Sequence, residues 1–91
     1  IKFVPNAFTP NGDGFHDTWN IVGLEGQPST KIYIFDRFGK LIKQISPQGQ
    51  GWDGTYNGKL VPAGSYAWVA RVKKPQNDGK ETFSGNINLL R

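Results

Sequence analysis

The chain contains no cysteine. No disulfide staples it, so an extracellular version must be held by packing or by a bound ion. It has a single histidine, His16, too few for a usual zinc site without cysteine. No apolar run approaches the ~18 residues that a membrane-spanning helix requires. No segment carries its apolar residues at the helical period, and no charged, apolar and small-residue leader opens the chain. The abrupt, strand-like start at Ile1 reads as a cut from a longer protein. Internal repeats, low-complexity tracts and linkers are also missing, so the 91 residues are expected to form one domain, 1–91. A chain of this size buries roughly 60–65% of its unfolded surface, which gives one core and little spare stability.

Turn formers and large rings are plentiful: 12 glycines, 6 prolines, 3 Trp, 3 Tyr and 6 Phe. That mixture points to many short strands. The formal net charge is +4, but the 11 Lys and Arg are spread over the whole length, with Lys73–Lys74 the only adjacent pair. A nucleic-acid binder gathers its cations on a stripe with aromatics between them, so a solvated basic surface is the simpler reading.

Along the chain, Lys2-Phe3-Val4 is a short extended start, and Asn6 to Asp17 a loop rich in glycine and proline. Thr18–Val22 alternates as a half-buried strand. Lys31–Asp36 is the strongest strand, with Ile32 and Ile34 on one face, Tyr33 and Phe35 on the other, and both faces expected to be covered. Lys40–Ile45 follows. Asp36-Arg37-Phe38-Gly39 suits a type I turn closed by a bulge: Asp36 can accept from the turn backbone, and Gly39 can take the left-handed conformation. Asn57-Gly58 is a tight-turn signal, and Val61-Pro62-Ala63-Gly64 is a further turn. Ser65–Lys73 is a long strand with Tyr66, Trp68, Ala70 and Val72 on one face. Asn77–Lys80 makes the last hairpin, and Phe83, Gly85, Ile87 and Leu89 then alternate. About seven strands at this spacing, with no helix, define an all-β antiparallel sandwich.

Catalytic chemistry finds little to work with. None of Ser29, Ser46, Ser65 and Ser84 lies in a Gly-x-Ser-x-Gly turn. Asp13 and Asp17 pair only within a glycine-rich loop, a setting for turns or an ion rather than for acid–base work. Counted as a calcium loop from Thr9, that loop places Asn11, Asp13, the Phe15 carbonyl and Asp17 at ligand positions and Gly14 at the glycine position. Thr9 stands where Asp is expected, and Asn20 where a bidentate Glu is wanted. Any calcium site would be weak, and no cofactor is required. The competing reading is a loop folded by Asx turns, with Gly12 and Gly14 at positive φ. Trp52-Asp53-Gly54 also has two readings: a ligand-stacking tryptophan, or one that closes the end of the core while Asp53 fixes the turn. The second is favoured, because large rings dominate small cores. Trp19 and Trp68, in alternating segments, are read in the same way.

Four ordered motifs then carry a resemblance. Val4-Pro5-Asn6-Ala7-Phe8-Thr9-Pro10-Asn11-Gly12-Asp13-Gly14-Phe15-His16-Asp17 resembles the opening of the gliding-motility-associated C-terminal domain. Ile34-Phe35-Asp36-Arg37-Phe38-Gly39 resembles its next hairpin. Trp52-Asp53-Gly54, Gly58, Val61-Pro62-Ala63-Gly64 and Tyr66 resemble its middle stretch. Gly85, Ile87, Leu89 and Arg91 resemble its last strand. His16 stands where Asn is common, and Asp36-Arg37-Phe38 replaces a usual Asn-Arg-Trp. The resemblance implies an immunoglobulin-like sandwich and a type B sorting domain of the type IX secretion system, found at the end of large Bacteroidetes adhesins. It implies export across the outer membrane to the cell surface or medium through a PorP/SprF-like outer-membrane partner. It makes Pro10, Asn11, Gly12, Asp13, Gly14, Arg37, Gly39, Trp52, Asp53, Gly54, Gly64, Tyr66 and Arg91 the candidate motif and recognition residues. Two other readings stand beside it: a carbohydrate- or protein-binding module using Trp52 and Tyr56, and a plain spacer of a surface adhesin.

Overall fold

The computed structural model describes residues 3–10, 12, 14, 17–23, 29–73 and 80–90, with the backbone alone at 73, 80 and 81. Among the described residues the strands are β1 (Ala7–Phe8), β2 (Lys31–Phe35), β3 (Leu41–Ile45), β4 (Thr55–Tyr56), β5 (Lys59–Leu60), β6 (Gly64–Lys73) and β7 (Lys80–Leu89). No helix occurs among the described residues. Five strands form one sheet in the order β1-β7-β6-β2-β3, and β4 and β5 form a separate hairpin.

The sheet follows from period-two patterning. Paired residues share a face, so the register Ile32↔Ala70, Ile34↔Trp68 and Tyr66↔Ile87 gathers the apolar residues on one side. All six are buried. Gly85 opposes Trp68 and leaves room for its indole, since a Cβ on Gly85 would lie 2.9 Å from Trp68 Nε1. Between β2 and β3 the register slips by one residue, from Ile34↔Lys43 to Phe35↔Leu41. This bulge turns Ile42 inward, so Ile42 and Ile45 are both buried although they are three residues apart.

The turn between β2 and β3 forms as its residues predict. The Phe38 and Lys40 amides each donate to Asp36 Oδ1 at 2.9 Å, the Gly39 amide donates to the Asp36 carbonyl at 3.1 Å, and Gly39 has φ +84°. Asn57 and Gly58, at φ +53° and +79°, join β4 to β5 as a type I′ turn.

A smaller layer covers the inner face of the sheet. Trp19 and Trp52 exchange two backbone hydrogen bonds of 2.8 Å, and Phe3 and Val22 form a second antiparallel bridge. The Trp19 ring lies 5.9 Å from that of Trp68, and the Trp52 ring 5.2 Å from that of Tyr66. The result is an all-β sandwich around an aromatic centre.

Four expectations change. Thr18–Val22 makes only isolated bridges through Trp19 and Val22, because its partners are single residues rather than a strand. The segment read as a loop from Asn6 contains β1, which pairs with β7 through Ala7↔Asn88 and Phe8↔Leu89. That pairing is parallel, so the sandwich is not wholly antiparallel. The face carrying Tyr33 and Phe35 is half-buried rather than covered.

Candidate functional site

The motif residues separate into a frame and an exposed surface. In the frame, Trp52 is completely buried between Phe8, at 5.4 Å between ring centres, and Tyr66. Its indole N–H donates to the Thr55 carbonyl at 3.0 Å. Asp53 Oδ1 accepts from the Thr55 hydroxyl at 2.6 Å and from its amide at 3.2 Å, fixing the turn into β4. Gly54 is buried against Pro10 and Leu89. Gly64 opens β6 opposite Leu89. Near the start of β6 the Tyr66 hydroxyl donates back to the Pro62 carbonyl. This is the corner by which tyrosines tie a strand to its preceding turn in immunoglobulin-type sandwiches.

Trp19 completes the frame. Its indole N–H donates to the Pro5 carbonyl at 2.6 Å, drawing the N-terminal segment onto the core. Gly51, at φ +89°, lies so close to the Trp19 carbonyl that any Cβ would collide with it. The Trp19–Trp52 bridge therefore depends on glycine at 51.

In the opening loop, Asp17 Oδ1 accepts from the Gly12 amide at 2.9 Å and Oδ2 from the Gly14 amide at 2.8 Å. Gly12 and Gly14 have φ of +80° and +87°. The positive φ at both glycines is as expected, while the Asp17 carboxylate reaches back to close the loop rather than forming an Asx turn ahead of itself. Asn11, Asp13, Phe15, His16 and Arg91 lie outside the described residues, as do the turn residues Asn77, Asp78 and Gly79.

The exposed part centres on the β2–β3 turn. Phe38 is 80% exposed, and the Arg37 guanidinium lies 4.9 Å from its ring centre. Lys40 Nζ sits 4.7 Å over the half-buried Tyr56 ring. A shallow depression lined by Phe35, Arg37, Gly39, Ala67 and Asn86 adjoins the turn. Sequence reasoning picked out Arg37 and Gly39 but missed Phe38 as a surface group, since a lone aromatic in a turn belongs to no periodic pattern.

No group of three or more His, Cys, Asp or Glu suited to a metal occurs among the described residues. No described helix is long and apolar enough to cross a membrane. What the geometry offers is a rigid shape: a tryptophan-centred sandwich that displays one turn and one sheet face. Its class is that of a small all-β recognition domain. The model of the CHU_C type IX secretion signal domain matches residues 2–89, and the chain belongs to that family. Its role is that of a sorting signal, in a family of secretion signals rather than of enzymes. No curated protein and no solved structure matches the chain.

Proposed function

We propose that this domain stands at the C-terminus of a large surface adhesin or secreted protein of a gliding Bacteroidetes bacterium and carries that cargo across the outer membrane as a folded unit. The partner in this reading is a PorP/SprF-like outer-membrane protein of the type IX machinery, and the cargo ends at the cell surface or in the medium. The domain does no catalysis. Calcium, if bound by Asn11, Asp13, the Phe15 carbonyl and Asp17, is an accessory of the loop rather than of export.

The observation that carries the reading is the family match over residues 2–89, joined to the burial of the motif residues. Trp52, Gly54 and Tyr66 are buried, so they act by holding a shape that other parts of the surface display. A sugar-binding reading through Trp52 finds no support, because a fully buried indole offers no ring face to a ligand.

Removing residues 2–89 from the natural protein tests the proposal. The cargo should then accumulate inside the outer membrane and disappear from surface and medium fractions. Undiminished export of the truncated cargo would refute it.

A further inference from the structure

The outer face of the five-stranded sheet has a composition that the core does not explain. Alternation places Tyr33, Phe35, Leu41, Ala67 and Val69 on this face, through the pairs Tyr33↔Val69, Phe35↔Ala67 and Phe35↔Leu41. Tyr33, Phe35, Ala67 and Val69 are half-buried, and Leu41 is 47% exposed. A contiguous apolar strip therefore crosses β3, β2 and β6, where a face turned only to water would carry polar residues.

The borders of the strip are polar and cationic. Lys31 and Arg71 pair at one end, with the Arg71 guanidinium 5.8 Å from the Tyr33 ring centre. Arg37 borders the depression at the other end. Gln44, Thr82, Ser84 and Asn86 are exposed along the flanks. Asp36 also lines the depression, its Oδ1 held by both turn amides, and its single negative charge stands against the three cations Lys31, Arg37 and Arg71 on the borders. The other carboxylates whose side chains the structure describes, Asp17 and Asp53, are tied into their own loops. An apolar centre ringed by hydrogen-bonding groups and arginines is the anatomy of a protein–protein interface.

We propose that this face docks an acidic protein surface: an apolar ridge flanked by carboxylates, on the component of the export apparatus that reads the domain. The proposal rests on the export reading above. Charge complementarity selects the occupant. A second copy of the chain would bring Lys31, Arg37 and Arg71 against the same cations. A sheet face with Gln, Ser, Thr and Asn around it matches directed hydrogen bonds better than insertion into lipid.

The test uses the domain fused to an exported reporter in type IX-competent cells. The double variant Arg37→Glu/Arg71→Glu reverses a cation at each end of the strip. It should lower export about tenfold or more, because charge reversal penalises encounter and register together. The melting temperature of the purified fusion should stay within about 3 °C, since both arginines are exposed. A photocrosslinking residue at position 41 should give a protease-sensitive adduct in the parent and none in the double variant. Should the double variant melt lower than that, Leu41→Asp at its half-exposed site makes the same test.

Unchanged export by a folded variant would overturn the proposal. If deletion of the whole segment still abolishes export, the sorting role survives and only the docking face is lost. Binding of the parent domain, but not of the double variant, to 3:1 phosphatidylcholine/phosphatidylglycerol vesicles would overturn it in favour of a lipid surface. A concentration-dependent dimer abolished by Leu41→Asp would overturn it in favour of self-association.

Discussion

The two faces of the five-stranded sheet are made by the same strands, residue by residue in alternation, yet they are built for different ends. The inner face packs Ile32, Ile34, Tyr66, Trp68, Ala70, Ile87 and Leu89 against Trp19 and Trp52, and all of these are buried. The outer face carries Tyr33, Phe35, Ala67 and Val69, which are only half-buried, beside exposed Lys31 and Arg71. The inner face supplies stability, and the outer face is free to vary in stability terms. An export signal shared by many cargoes can be a shape held from within and displayed from without.

Substitutions can break that contrast. The largest effect is expected at Trp52→Ala, which removes a fully buried ring touching Phe8 and Tyr66. It should cost about 3–5 kcal/mol in denaturant unfolding and abolish export by unfolding the domain. That is much of the stability of so small a domain. A folded but unexported Trp52→Ala would make this tryptophan a direct recognition residue instead. Next is Gly51→Ala, where the added Cβ strikes the Trp19 carbonyl at φ +89°. A loss of about 2–3 kcal/mol by the same measurement is expected from overpacking and backbone strain.

Asp36→Ala should cost about 1 kcal/mol, from the loss of the two amide contacts that close the β2–β3 turn. Hydrogen exchange at the Phe38 and Lys40 amides should rise in this variant before the core amides change. The smallest effect is expected at Thr30. Its hydroxyl is buried and finds no hydrogen-bond partner among the described residues. Thr30→Val should therefore leave stability unchanged or raise it by about 0.5 kcal/mol, and a lower melting temperature would reveal a partner for that hydroxyl.

Local chemistry was the part of the fold most open to reading from sequence. The Asp36–Gly39 and Asn57-Gly58 turns, the alternation of Tyr66 to Val72, and the positive φ of Gly12 and Gly14 each depend on residues a few positions apart. Features set by distant partners were hidden. Ala7–Phe8, between Pro5 and Pro10, shows no strand signal, because its partners Asn88 and Leu89 lie at the far end of the chain. Thr18–Val22 has the alternation of a strand yet finds only single-residue bridges.

The candidate site divides in the same way. A core role for Trp52 and a turn role for Asp53 were legible, since a large ring in a small domain has few other places to go. The openness of the Tyr33–Phe35 face was not, because a run of apolar residues on both sides of a strand looks alike whether its second side meets another layer or a partner. The exposure of Phe38 depends on how far its turn projects, a property of the assembled hairpin.

Sufficiency of residues 2–89 as an export signal is the central question. Their fusion to the C-terminus of a periplasm-targeted fluorescent protein, followed by measurement of fluorescence in the surface and medium fractions, tests this most directly. Type IX-competent cells should release the fusion or display it, cells lacking the translocon should retain it in the periplasm, and the unfused protein should stay inside both. Equal retention of fused and unfused protein in competent cells, with the domain folded, would contradict the account.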